Sequence, residues 1–146
     1  MLLAQMPAVF RCPSARFAER ALPESYCTDY FAIACAEAAD EPSIGTAWPD
    51  KTPTRFRDFQ DGTSNVILLA ESNSETVLWM EPRDLRLAEL PMAINHAERG
   101  GISSYHPGGC HIALADGSIR YLSQTVRPGT LRKLLLRNDG EAVGKY

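Results

Sequence analysis

The stretch H-I-A-L-A-D-G-S-I-R-Y-L, His111 to Leu122, decides the fold. Apolar and smaller or polar residues alternate on both sides of Asp116-Gly117, which is the period-two pattern of a strand pair. Asp-Gly is a preferred pair for a two-residue type I′ turn, in which both central residues take positive φ. Pairing outward from such a turn sets Leu114 opposite Ile119 and Ile112 opposite Tyr121, with all four side chains on one face. The other face would carry His111, Ala113, Ala115, Ser118, Arg120 and Leu122. This stretch therefore predicts an antiparallel hairpin with its larger apolar residues turned to a core.

Two further segments extend the pattern upstream. Asp61-Gly62-Thr63-Ser64-Asn65 is a turn cluster, and Val66 to Ala70 is an apolar run suited to a buried strand. Ser72 to Glu75 reads as a second turn and Thr76 to Met80 as a second strand, so a hairpin is expected over 66–80. Downstream, Pro128 suits a first helical turn. Leu131, Leu134 and Leu135 follow at helical spacing, and Asn138-Asp139-Gly140 ends the helix. Arg120, Arg127, Arg132, Lys133 and Arg137 read as a solvated basic face. Residues 1–57 hold six of the ten prolines and show no helical period, so they are expected to be irregular, with one strand near Tyr30 to Ala34. Pro42, Pro49 and Pro53 punctuate a surface loop there. The expected class is α+β, an antiparallel sheet built from hairpins with a short C-terminal helix. One domain over 1–146 is expected, irregular over 1–57, with the sheet and helix over 58–146.

Composition bounds the function without naming it. The chain has 146 residues, 45% apolar and 23% charged, which fits a globular domain and excludes disorder or a coiled coil. Fifteen basic and eighteen acidic residues leave a net charge of −3, so no field favours nucleic acid. The longest apolar run, Phe31 to Ala36, falls far short of a membrane span. Met1 to Ala4 is too short to serve as a secretory signal.

The four cysteines, Cys12, Cys27, Cys35 and Cys110, include no C-x-x-C pair, which disfavours a zinc ribbon or a thioredoxin-like site. Four buried thiols are expected ahead of a bridge among the first three. His106, Cys110 and His111, with His96 as a possible fourth, offer metal-competent atoms. Adjacent Cys110 and His111 would point to opposite faces of a strand, however. A nucleophile pair of Cys110 with His106 or His96 lacks an accompanying oxyanion pattern. No G-x-S-x-G elbow is present to activate a serine.

Taken in order, the segments carry a resemblance. His106 stands nine residues before Asp116-Gly117 in H-P-G-G-C-H-I-A-L-A-D-G-S-I-R-Y-L. Other pieces are F-R-C-P-S (Phe10 to Ser14), T-D-Y-F-A-I-A (Thr28 to Ala34) and R-D-F-Q-D-G-T-S-N-V-I-L-L-A-E (Arg57 to Glu71). W-M-E-P-R-D-L (Trp79 to Leu85) and L-L-L-R-N-D-G-E (Leu134 to Glu141) complete the series. With these boxes the chain resembles a planctomycete family of prepilin-like proteins of unknown function marked by an H-x9-D-G box. The chain departs from the family at Cys35 and Cys110, where small residues are usual, and in N-D-G-E, where G-G-E is commoner. It also lacks the family's prepilin peptidase site and long apolar helix.

The resemblance implies a pseudopilin-like head outside the cytoplasm, of the type II secretion or type IV pilus kind, and a structural or interaction role without catalysis. On that reading the natural gene extends upstream of Met1 with an apolar helix, and membrane contact runs only through that helix. Protein partners or self-association are expected, with no nucleic acid. The motif residues it singles out are His106, Asp116, Gly117, Asp61, Gly62, Ser64, Asn65 and Glu71. Asp116 is expected to cap its turn and His106 to brace the loop before the hairpin.

No cofactor is expected. The alternative is a solute- or metal-binding module of the same fold, taking calcium or zinc, with His106 and Asp116 as candidate ligands. Major pseudopilins of type II secretion carry calcium in C-terminal loops, and acidic turns here lie at Asp61, Asp84, Asp116 and Asp139.

Overall fold

A computed structural model describes residues 2–15, 24–36, 44–97 and 100–146. Pro42 lies outside these residues, so the loop expected around it is described only at Pro49 and Pro53. The main sheet has four antiparallel strands in the order β1 (Tyr30–Phe31), β4 (Ile67–Glu71), β6 (Gly109–Leu114) and β7 (Ile119–Ser123). A smaller sheet sets β2 (Ile33–Cys35) between β3 (Trp48–Pro49) and β5 (Leu85–Arg86), all parallel. Helix α1 (Pro128–Leu135) begins on its proline, as expected, and buries Leu131, Leu134 and Leu135. The class is α+β, as the sequence predicts. Among the described residues no helix is long and apolar enough to cross a membrane.

One buried cluster joins sheet and helix. Phe31, Ile67, Ile112, Leu114 and Leu122 share it with the three helix leucines, all at most 2% exposed. Burying such side chains contributes about 1.5–3 kcal/mol each before the entropy of ordering is set against it.

The hairpin forms at the expected place, but its register differs by one residue. Ala113 pairs with Ile119, Ile112 with Arg120 and His111 with Tyr121. The Leu114 N–H donates to the Ser118 carbonyl at 2.9 Å, and the Gly117 N–H to the Leu114 carbonyl at 2.9 Å. Gly117 sits at φ 84°, whereas Asp116 is not among the described residues with positive φ. The loop is thus the three-residue form, Ala115 to Gly117, with glycine in the left-handed position. The type I′ expectation is corrected accordingly.

The physical cause lies in the segment that leads into β4. The Ala115 N–H donates to the Val66 carbonyl at 2.9 Å and the Asp116 N–H to that of Thr63 at 3.1 Å. Ala115 therefore bonds to the segment leading into β4 and does not close the hairpin against Ser118. A one-residue slip exchanges the faces of the second strand. Leu122 enters the core at 1% exposure, while Ile119 (66%) and Tyr121 (46%) turn outward beside His111 and Ala113.

The hairpin expected over 66–80 does not form. Its first strand is β4, but β1 and β6 occupy both edges of β4. Ser72 and Ser74 are held by the Gly101 carbonyl and the Ser103 hydroxyl, which leads the chain away. The segment 76–80 instead meets residues 26–28: Thr28 N–H donates to Val77 at 2.9 Å and Trp79 N–H to Tyr26 at 3.0 Å.

Strand β4 also shifts register between Ile67 and Leu69. The Leu68 carbonyl at this bulge accepts the Trp48 indole N–H at 2.7 Å, and Leu69 lands on the outer face. A further correction concerns Arg137, which is buried and not part of a solvated face. Its Nη1 donates to the Thr46 carbonyl and its backbone N–H to that of Gly45.

Candidate functional site

The motif residues separate to the two ends of the main sheet. At one end stand the acidic turns. Asp61 accepts backbone N–H groups from Asp139 at 2.8 Å and Gly140 at 3.0 Å, while Asn65 donates its amide to the Asp61 carbonyl at 2.8 Å. Gly62 takes φ 90° at the start of the helical turn Thr63–Asn65, which contains Ser64. Asp116 accepts from the Ser118 N–H at 2.9 Å and hydroxyl at 2.7 Å. The Ser118 hydroxyl and N–H hold the exposed Asp116 carboxyl below its ordinary range. Asp139 accepts from the Glu141 N–H, and Asp84, on the smaller sheet, from the Ala32 N–H. Each of the four acidic turns therefore terminates backbone donors, a role short carboxylates fill in turns.

The other end gathers side chains from four segments. Cys12 is fixed by its N–H donating to Asp29 Oδ2 at 2.9 Å, and the Asp29 N–H returns to the Phe10 carbonyl at 2.9 Å. Glu71 closes β4 opposite Tyr30 of β1 and is only 3% exposed. One of its oxygens accepts the His111 N–H at 2.7 Å; the other lies 3.4 Å from His106 Nε2. His106 Nε2 is also 3.4 Å from Cys12 Sγ, and its Nδ1 is 3.4 Å from the Ser14 hydroxyl. The ring of His111 meets that of His106 edge-on at 4.6 Å, and its Nδ1 is 3.6 Å from Glu71.

The loop carrying His106 is braced twice. Ser104 Oγ accepts the His106 N–H at 3.0 Å and donates to the Gly109 carbonyl at 2.7 Å. The Tyr121 hydroxyl donates to the Pro107 carbonyl at 2.6 Å.

Burial dominates the electrostatics here. It raises the Cys12 thiol above its ordinary value, with the Ser14 backbone N–H working the other way and Glu71 adding to the rise. Tyr30 is pushed up to about 12 by burial and then by Cys12, Glu71 and Asp29. Cys110 is pushed up to about 12 by burial and Glu71. A thiol that stays protonated is a poor nucleophile, which removes the physical basis for the Cys110 pairing. All four cysteines are buried.

His106 and Asp116 flank opposite ends of β6, whose six residues span about 20 Å. The structure does not bring these two metal candidates together. It pairs His106 with Cys12 and Glu71 instead, and among the described residues these three form the group whose ligand atoms lie within 4.8 Å of one another. Sequence reasoning identified His106 and Glu71 separately. It missed Cys12, Asp29 and Tyr30 as their neighbours. The F-R-C-P-S and T-D-Y boxes held the signal, but 94 positions separate Cys12 from His106.

Between this cluster and the outward side chains of the hairpin runs an open groove of about 970 Å³. Phe10, Tyr30, Trp48, Leu69 and Ile119 line it, with Glu71, His106 and His111 along one part.

Residues 72–129 match the model of a family described as a protein of unknown function, DUF1559. The matched region includes His106, His111, Asp116 and Gly117, while Cys12 and Glu71 precede it. No curated protein and no solved structure matches the chain.

Proposed function

We propose that this domain is a non-enzymatic interaction module, the head of a pseudopilin-like protein displayed outside the cytoplasm, in the H-x9-D-G family of planctomycetes. The observation that carries the reading is the outer face of the main sheet. Leu69, Ile119 and Tyr121 are all at least 36% exposed there, and Val9 (75%) and Trp48 (43%) border the same groove. Exposed apolar surface of this kind supports a contact with another chain. The occupant is a neighbouring subunit of the same kind, because a fibre or secretion piston sets like heads side by side. The match to a family of unknown function over 72–129 is compatible with this role and assigns no reaction.

Sedimentation over a wide concentration range tests the reading. The head is expected to self-associate, and Ile119→Glu on the exposed face to abolish association while the monomer stays folded. Association that is unchanged in the variant, or a wild-type head that stays monomeric throughout, would overturn it.

A further inference from the structure

We propose that Cys12 Sγ, Glu71 Oε1 and His106 Nε2 form a zinc site that clips the Phe10-to-Ser14 segment onto the main sheet. This goes beyond the interaction role and does not depend on it.

The donor set is a thiolate, a carboxylate and an imidazole, the three kinds of side chain that zinc takes in proteins. Their spacing suits the ion. With Zn–S near ~2.3 Å and Zn–N or Zn–O near ~2.0–2.1 Å, tetrahedral angles place sulfur about 3.5 Å from nitrogen and nitrogen about 3.3 Å from oxygen. The observed separations are 3.4 Å from Cys12 Sγ to His106 Nε2 and 3.4 Å from His106 Nε2 to Glu71 Oε1. All three atoms lie within 4.8 Å of one another.

Charge balances in the zinc-bound form. Cys12 is 2% exposed and Glu71 3%. A buried thiolate beside a buried carboxylate is costly unless a cation compensates both. A divalent ion does so one for one when the thiol proton is released to solvent. Sulfur also selects against calcium and magnesium, which take oxygen donors.

Each ligand has a partner that holds it in place. The Ser14 hydroxyl faces His106 Nδ1, so a proton on that nitrogen leaves Nε2 to bind. The His111 N–H holds the second Glu71 oxygen at 2.7 Å, and Asp29 holds the Cys12 backbone at 2.9 Å. Three protein ligands leave a fourth position. Glu71 and His106 both line the groove.

The test uses the full chain, stripped with a chelator and titrated with zinc, then with cobalt as a spectroscopic substitute. One ion per chain is expected, together with a sulfur-to-cobalt charge-transfer band. Cys12→Ser should weaken zinc binding by more than about 100-fold and abolish the band. Cys110→Ala should keep both. In the unmutated chain, zinc should protect Cys12 from alkylation, located by peptide mass mapping, which keeps the test independent of how the variants fold. Absence of the cobalt band, a band that follows Cys110, or alkylation of Cys12 indifferent to zinc would overturn the proposal.

Discussion

The two ends of the main sheet use similar residues for different work. At the Asp61–Asp116 end, carboxylates accept backbone N–H groups, two of them from residues two positions along the chain. At the Cys12–Glu71–His106 end, side chains meet that are separated by up to 94 positions, and a carboxylate only 3% exposed faces two imidazoles. The first arrangement caps backbone groups, locally at Asp116 and Asp139 and across 78 positions at Asp61. The second concentrates donor atoms in a buried place, at a cost in desolvation that turn formation does not explain. What separates the two ends is the partner each residue meets, since the residue types overlap.

The largest effect is expected at Gly109, at the cluster end. A Cβ there would collide with the Leu122 carbonyl and lie 2.8 Å from the Tyr121 ring, both facing it across the strand pair. Gly109→Ala should destabilise the domain by about 3 kcal/mol in denaturant unfolding. It should also loosen the His106 loop, because Tyr121 holds Pro107. A variant as stable as the parent would show that this end is not rigidly framed.

Asp61→Ala removes one carboxylate from two backbone N–H groups and should cost about 2 kcal/mol. Zinc affinity should be unchanged, since the change lies at the opposite end of the sheet. A loss of zinc binding with stability intact would break the division between the ends.

Gly117→Val should cost least, about 1 kcal/mol, measured the same way. Nothing lies within 4 Å of a Cβ at this position, so only the positive φ of 84° resists the branched side chain. A cost above that of Gly109→Ala would mean that turn strain outweighs the close approach of the strands, reversing the ranking of the two ends.

Legibility followed the range of the interactions. The Asp116-Gly117 turn, the helix from Pro128 and the strand expected over 66–70 were readable because each rests on neighbours within a few residues. The hairpin register was not. Asp-Gly suits both a two-residue and a three-residue loop, and the choice was made by the Val66 and Thr63 carbonyls, which take the Ala115 and Asp116 N–H groups. The expected strand over 76–80 failed for the same reason. Its local pattern was sound, but β1 and β6 already held both edges of β4. Glu71 stood out only through the box it sits in, and His106 through its box and as a metal-competent neighbour of Cys110 and His111. Neither their spacing nor that of Cys12 in the chain indicates that the three meet.

The sequence by itself determined the class, the helix and its buried leucines, the location of the hairpin and the capping role of its acidic turn. These follow from periodicity and turn chemistry, which act over a few residues. Only the tertiary structure decided which face of β7 points outward, and with it the apolar groove, and which distant side chains surround Glu71. The physical reason is that a strand has two faces and two edges of nearly equal local energy. The neighbour that claims an edge therefore sets what the other side exposes.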